Sequence, residues 1–451
     1  MHTENSSAAS AHNPQLPPAP VSFWQAFMYW LKLGFISFGG PAGQISMMHQ
    51  ELVEKRRWIS EKRFLHALNY TMMLPGPEAQ QLATYIGWLM HGIKGGICAG
   101  VLFVLPSLLI LIALSYAYFQ FGDAPLLQGV LAGIKPAVTA IVLFAAYRIG
   151  KRTLHNAPLK MLALAAFVGI FLFQLPFPLL ILSAAVCGLW LAHYRPHTFK
   201  SDVEHHAVQS YGAALIDDHT PLPPHVQFNG GRLLKILSLG LLIFALCLAT
   251  LVFGFGWQGL YAQMALFFSK AALLTFGGAY AVLPYVFQGA VNDFHWLNAT
   301  QMIDGLALGE TTPGPLIMVV AYVGFAGGWN LMPLGAEVAA LAGCLGALVA
   351  TVFTFIPSFL FILVGGPWVE ASRHVLPLHG PLAAISAAVV GVILNLALFF
   401  AWHVLWPQGW QGDFMLVQAL MGIMAFIALF KFEQSIVRVI LVCALSGMLF
   451  L

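Results

Sequence analysis

Leu74-Pro75-Gly76-Pro77-Glu78 interrupts one apolar stretch, and Thr312-Pro313-Gly314-Pro315-Leu316 interrupts a second, 238 residues further on. Working outward from these triplets, residues 32–77 and 270–315 align without a gap. Lys32 falls on Lys270, Phe38-Gly39-Gly40 on Phe276-Gly277-Gly278, Gln50 on Gln288 and Trp58 on Trp296. After a 13-residue insertion the register resumes at offset 251, with Pro106-Ser107 on Pro357-Ser358 and Ala137-Val138 on Ala388-Val389. Chance similarity between apolar stretches would give scattered Leu and Ala matches, not Lys, Trp and a PGP triplet in one register. Two homologous halves in a very apolar chain is the build of many secondary transporters, whose substrate site lies at the repeat interface.

The chain has 451 residues, 59% hydrophobic and 8% charged, with a mean hydropathy of +0.82. Soluble domains carry about 25% charged residues, so lipid must be the solvent. A net charge of +3 is too small to suggest nucleic acid. The five cysteines (Cys98, Cys187, Cys247, Cys344, Cys443) lie far apart in apolar stretches and form no metal-ligand spacing. No cofactor or metal site is expected. The sequence also has no HExxH, GxSxG, flavin fingerprint or haem-ligand pair, and no GxxxxGK[ST]. An enzyme or an ATP-driven pump is therefore disfavoured.

The expected fold class is an all-α polytopic membrane protein of two homologous halves, arranged as inverted repeats with broken, re-entrant helices. Residues 1–21 read as a disordered tail, 22–193 as the first repeat and 194–232 as a polar cytoplasmic linker. Residues 233–255 read as a connecting transmembrane helix and 256–451 as the second repeat. The linker histidines His197, His205, His206, His219 and His225 fit no defined metal site. Thirteen apolar segments can be marked. Lys55, Arg56, Arg57, Lys62 and Arg63 place loop 41–65 inside, as do Arg148, Lys151, Arg152 and Lys160 for 148–160. Three segments separate those loops, so one must enter and return. Segment 66–91, cut at its PGP into arms too short to span, is the one that fits. In the second half, loop 284–302 has no Lys or Arg and carries Asp293, which suits the outside. That requires 303–326 to break at its PGP and 260–283 near Gly277-Gly278, with 22–40 breaking near Gly39-Gly40. About nine full crossings and four re-entrant pieces result; thirteen crossings fit the hydropathy but strain the cation rule.

Ionisable groups at membrane depth are functional candidates by default. Lys32 and Lys270 stand out because the repeat makes them equivalent, six residues before an FGG break. With the half-helix ends at Ser37, Gly39, Gly40, Gly277 and Gly278, they could hold a small anion. Each lysine could instead snorkel to an interface. Lys135 aligns with Ser386 and is either a site residue or a snorkelling one. Gly76 and Gly314 allow backbone to approach a ligand, and Gln80, Gln81, Thr311 and Thr312 can donate to oxyanions without adding charge. Glu78 and Glu310 flank the two breaks at non-equivalent positions. They either balance the lysines or carry a coupled proton, or they satisfy backbone at a broken helix.

At these residues the chain resembles a known family. Phe35-Ile36-Ser37-Phe38-Gly39-Gly40-Pro41, Lys55-Arg56-Arg57-Trp58-Ile59 and Leu74-Pro75-Gly76-Pro77-Glu78-Ala79-Gln80-Gln81 closely resemble motifs of the chromate transporter (CHR) family. Thr275-Phe276-Gly277-Gly278-Ala279-Tyr280 and Glu310-Thr311-Thr312-Pro313-Gly314-Pro315-Leu316 resemble its second-domain motifs. The likeness covers about residues 22–451 and matches the two-domain bacterial members. It implies a multi-pass protein of the bacterial inner (plasma) membrane that expels chromate and confers chromate resistance. Chromate and sulfate are tetrahedral dianions of similar shape, so the resemblance leaves a sulfate or other oxyanion carrier, and a passive anion channel, open. The expected partners are these anions and the lipid bilayer, with room for a homodimer.

Overall fold

A computed structural model describes residues 18–122, 124–194, 211–218, 220, 223–276, 278–372 and 379–450. The described residues form sixteen α-helices: α1 (Phe23–Ile36), α2 (Gly40–His49), α3 (Glu61–Met73), α4 (Glu78–Phe121), α5 (Pro125–Thr153), α6 (Ala157–Phe171), α7 (Phe177–Tyr194), α8 (Gly230–Phe255), α9 (Leu260–Leu274), α10 (Leu283–Phe287), α11 (Ala299–Thr311), α12 (Val319–Leu331), α13 (Ala339–Ser372), α14 (His379–Leu405), α15 (Leu416–Phe430) and α16 (Ile436–Phe450). The repeat persists in detail. π-Helical turns occupy Gln50–Lys55 and Gln288–Asp293, and each is followed by a non-glycine residue at positive φ, Arg57 at 51° and His295 at 52°. In the first of these turns the Arg56 guanidinium donates to Glu51 at 2.8 Å and holds its carboxyl below the usual carboxylate range.

The breaks fall where glycine and proline put them. The helix stops at Ile36, and Gly39 and Gly40 take φ of 90° and 73° where α2 begins. At the equivalent place α9 stops at Leu274 and Gly278 takes 101°; Gly277 lies outside the described residues. The PGP triplets separate α3 from α4 and α11 from α12, with Gly76 at φ 123° and Gly314 at 107°. Gly92, at φ 64°, folds α4 back on itself after residue 90. A Cβ on Gly87 would lie 2.5 Å from the Gly95 carbonyl, so the two arms touch through bare backbone. The same close packing recurs between Gly324 of α12 and Gly346 of α13.

The arm 78–90 and α3 each have about 13 residues, or roughly 20 Å of helix, too short to cross about 30 Å of hydrocarbon. Both ends of this unit meet one segment. Ser60 and Arg63, at the start of α3, donate to Asp218 and to the Thr220 carbonyl. At the far end, His225 Nε2 lies 3.0 Å from the Trp88 carbonyl. The chain therefore enters, turns at Pro75-Gly76-Pro77 and returns to the side it left.

The halves are inverted. The 93–121 arm of α4 and its equivalent α13 run antiparallel, since Gly96 abuts Leu363 and Gly100 abuts Phe359. Equivalent helices α5 and α14 are antiparallel as well: the last turns of α5 (Arg148, Arg152) share a cavity with Leu382 and Ser386 in the first turns of α14. The peripheral helices are exchanged, with α6 and α7 packing on α14 and α15 and α16 on α5. Small residues bring these backbones close: Gly133 against Cys443 and Gly447, Gly188 against Gly380 and Ala384, and Gly391 against Ala163. The connecting α8 buries only Leu251 and presents leucines and phenylalanines all round, as a helix bathed in lipid would.

Six helices are long and apolar enough to cross a membrane: α4, α5, α7, α8, α13 and α14. Of the nine expected crossings, α6, α15 and α16 have only 15 residues each, about 22 Å of helix. Residues 1–17 of the expected tail, and His197, His205, His206 and His219, lie outside the described residues. The described part of the expected linker is more than a solvated strand. Leu215 and Ile216 bond the carbonyls of Arg57 and Trp58, and Val226 is fully buried, because the π-turn leaves backbone groups that need partners.

Candidate functional site

The two breaks of each half meet those of the other. Gly76 N–H donates to the Thr275 carbonyl at 2.8 Å, and Gly314 N–H donates to the Ser37 carbonyl at 2.8 Å. Ser37 and Thr275 are repeat-equivalent, as are Gly76 and Gly314, so the contact is reciprocal in the way a two-fold interface requires. Side chains follow the same rule. A Cβ on Gly76 would lie 2.6 Å from Ser358 Oγ, and one on Gly314 would lie 2.7 Å from Ser107 Cβ. The two glycine amides are consumed in joining the halves, so these N–H groups are not free to meet a ligand. One side chain breaks the symmetry. Gln44 donates to both the Ser37 and Gly314 carbonyls, whereas Val282 stands at its equivalent position.

Around this crossing lie buried polar atoms without hydrogen-bond partners: the hydroxyls of Ser37, Ser107 and Ser358 and the side-chain carbonyls of Gln44, Gln80 and Gln81. None of these residues is more than 1% exposed. Buried polar atoms are nearly always paired, and each orphan costs about 1–3 kcal/mol. Six at one crossing leave it with unspent hydrogen-bonding capacity. Three rotatable hydroxyls can donate to an oxyanion without placing a fixed charge in the membrane. The amide groups hold the shape: Gln80 Nε2 donates to Thr84 at 3.0 Å and Gln81 Nε2 to the Pro75 carbonyl at 2.8 Å.

Other expected site residues lie elsewhere. Lys32 and Lys270 are both exposed, so the expectation of two buried lysines is corrected. In α1 the buried stripe is Ala26, Tyr29, Trp30, Leu33 and Gly34. Lys32 falls with exposed Met28 and Phe35, about 140° round the helix from Ser37. Lys270 likewise follows the buried Phe267-Phe268-Ser269 run and stands beside exposed Leu273. Gly39 is exposed and Gly40 buried. Thr311 and Thr312 donate to the carbonyls of Leu308 and Gly309, closing the end of α11.

Glu78 lines a cavity that Glu310 meets through Tyr280. This cavity, about 730 Å³, is lined by His49, Glu61, Glu78, Arg148, Arg152 and Tyr280, among others. The Tyr280 hydroxyl donates to Glu310 at 2.7 Å. Arg148 and Arg152 share the cavity with Glu78. A second cavity, about 910 Å³, opens at the other end of α14, where Asn395, Phe399 and Trp402 line it with Gln288 and Asp293. The two lie roughly 20 Å apart along α14. They are counterparts: Phe399 is the repeat-equivalent of Arg148. One mouth pairs two arginines with two carboxylates, and the other is aromatic with a single acid, Asp293.

A model of the chromate transporter family matches residues 24–189 and 262–448, both halves of the chain. The chain belongs to the chromate transporter family. A chromate transport protein of Pseudomonas aeruginosa is 32% identical over 98% of this chain and 96% of its own length. A probable chromate transport protein of Synechococcus elongatus is 29% identical over 95% of this chain and 96% of its own. A chromate transport protein of Cupriavidus metallidurans is 29% identical over 84% and 82%. No solved structure matches.

For this family member, the expectation of a multi-pass membrane protein with two homologous halves is met. Sequence reasoning passed over Ser107, Ser358, Gln44, Arg148 and Arg152 as site residues. The serines carried a usable signal, since Pro-Ser recurs at one offset in both halves. Arg148 and Arg152 stand four apart on one helix face but registered only as topology markers. Among the described residues, no group of three His, Cys, Asp or Glu side chains could hold a metal ion.

Proposed function

We propose that this chain is a secondary carrier that exports chromate across the bacterial inner membrane, giving chromate resistance. The observation that carries this reading is the reciprocal PGP crossing, with its buried unpartnered hydroxyls, in a protein with two cavities that open at opposite ends of α14. Chromate as the substrate rests on family membership and on the names of relatives matched over nearly their whole length. In the proposed site, Ser37, Ser107 and Ser358 donate to the oxyanion, and Gln80 and Gln81 hold the frame. Gly76 and Gly314 keep the centre clear, and Gly40 and Gly278 set the breaks. Arg148 and Arg152 draw the dianion to the cytoplasmic mouth, while Glu78 and Glu310 balance their charge when it is empty.

The direction follows from the field. Moving a dianion out of a negative cytoplasm gains about 4.6 kcal/mol per 100 mV, more than a thousandfold in gradient, so export needs no ATP. The test is flux of labelled chromate and labelled sulfate into everted vesicles under an imposed potential. Saturable, counterflow-competent chromate uptake that rises with an interior-positive potential is expected. Non-saturating flux without counterflow would mean a channel, and sulfate outcompeting chromate would mean a sulfate carrier.

A further inference from the structure

Two ion pairs join the halves, and the proposed transport site uses neither. In the first, Arg63 of α3 faces Glu370 of α13 at 3.8 Å, with side chains 11% and 10% exposed. The Tyr85 hydroxyl donates to the same carboxylate at 2.6 Å. In the second, Lys135 of α5 faces Asp304 of α11 at 3.7 Å, and the Tyr118 hydroxyl donates to Asp304 at 2.9 Å. In both, the first half supplies the cation and a tyrosine, and the second half the acid. Each ties a re-entrant arm, α3 or α11, to a long helix of the opposite half.

The pairs lie on opposite sides of the crossing. Arg63 also donates to the Thr220 carbonyl, on the face that carries Lys55, Arg56 and Arg57, which the cation rule makes cytoplasmic. Tyr85 sits at the level of Gly100, whose Cβ position Thr84 and Gln80 crowd. Tyr118 is about 27 Å further along the same arm, and Ser107 falls between them. The tyrosines hold each carboxylate at 2.6 and 2.9 Å while the cations stand off at 3.8 and 3.7 Å, so each contact is one hydrogen bond and one loose charge pair. Neither charge pair closes to hydrogen-bond distance, and Asp304 Oδ1 has no hydrogen-bond partner at all.

We propose that Arg63–Glu370 is the inner gate and Lys135–Asp304 the outer gate of an alternating-access cycle. Each pair bridges the halves on one side of the crossing, so parting one while the other holds exposes the crossing to one face. Binding at the crossing is passed to the gates through α3 and α11, whose C-terminal ends lead into the PGP tips. The proposal rests on reading the chain as a carrier.

The test is side-specific thiol labelling of Ser107→Cys in a full-length chain freed of its five native cysteines, in right-side-out and everted vesicles without substrate. The accessibility readout needs no chromate, so a failure to gate and a failure to transport chromate are separate results. Neutralising both partners avoids stranding one buried charge. Lys135→Met with Asp304→Asn should raise labelling from the outside and lower it from the inside, each by about tenfold. Arg63→Met with Glu370→Gln should do the reverse. Reversing the outer pair (Lys135→Asp with Asp304→Lys) should return both rates toward those of the native pair. Unchanged rates, or a shift in the same direction for both pairs, would overturn the proposal. So would loss of both neutral and reversed chains from the membrane, because a contact that opens in every cycle cannot be required for folding.

Discussion

The amide of Gly314 donates to the carbonyl of Ser37 at 2.8 Å, tying the PGP tip of the second half to the helix break of the first. Its mirror, Gly76 to Thr275, has the same length. In lipid every backbone group at this depth must find a partner inside the protein. Each half leaves donors and acceptors bare where its helices break, and each is completed by the other. The site proposed above and the interface between halves are thus one structure, and on that proposal neither half can form the site alone.

Glycine at the two tips is enforced twice, by φ of 123° and 107° and by contacts that leave no room for a Cβ. Gly76→Val and Gly314→Val should each lower chromate transport by at least about tenfold, with Ala intermediate. Resistance assays normalised to membrane abundance check this. Normal transport by Gly76→Val would place the site away from the tips.

Arg148 and Arg152 line the cavity at the end of α5. Arg148→Gln with Arg152→Gln should raise the apparent KM for chromate several-fold with little change in maximal rate. The defect should shrink as salt is added, because attraction of an anion to a mouth is screened over about 10 Å at 0.1 M. Flux titrations at two ionic strengths measure it; a defect confined to maximal rate would assign the arginines to folding instead.

The first half and the inversion were legible in sequence because they rest on covalent facts: PGP and FGG recur in register, and cations crowd loop 41–65 but not loop 284–302. Which way a side chain faces was not. Lys32 lies five residues from Ser37 in sequence, yet near the opposite side of α1. Proximity to a break and burial are different properties on a helix of 3.6 residues per turn. Gln44 meets Gly314, and Ser107 meets it too, through contacts between halves that no local window contains. Crossing number was equally hidden, because α6, α15 and α16 are apolar yet shorter than a bilayer core.

Lys62 and Thr300 are repeat-equivalent and both exposed, at the start of α3 and α11. Cysteines placed at these two positions in a cysteine-free chain should react with an impermeant thiol reagent from opposite faces, Lys62→Cys from the cytoplasm. Reaction from one common face would contradict inverted halves.

The most direct measurement is equilibrium binding of radiolabelled chromate to the purified protein in two variants. Filling the crossing with Ser107→Leu and Ser358→Leu removes two hydroxyl donors and the space they occupy. Lys32→Gln with Lys270→Gln removes two charges from the exposed faces of α1 and α9. The serine variant should lose affinity by about tenfold or more, while the lysine variant stays within about threefold of the native chain. Native affinity in the serine variant, with binding abolished in the lysine variant, would contradict a site at the crossing.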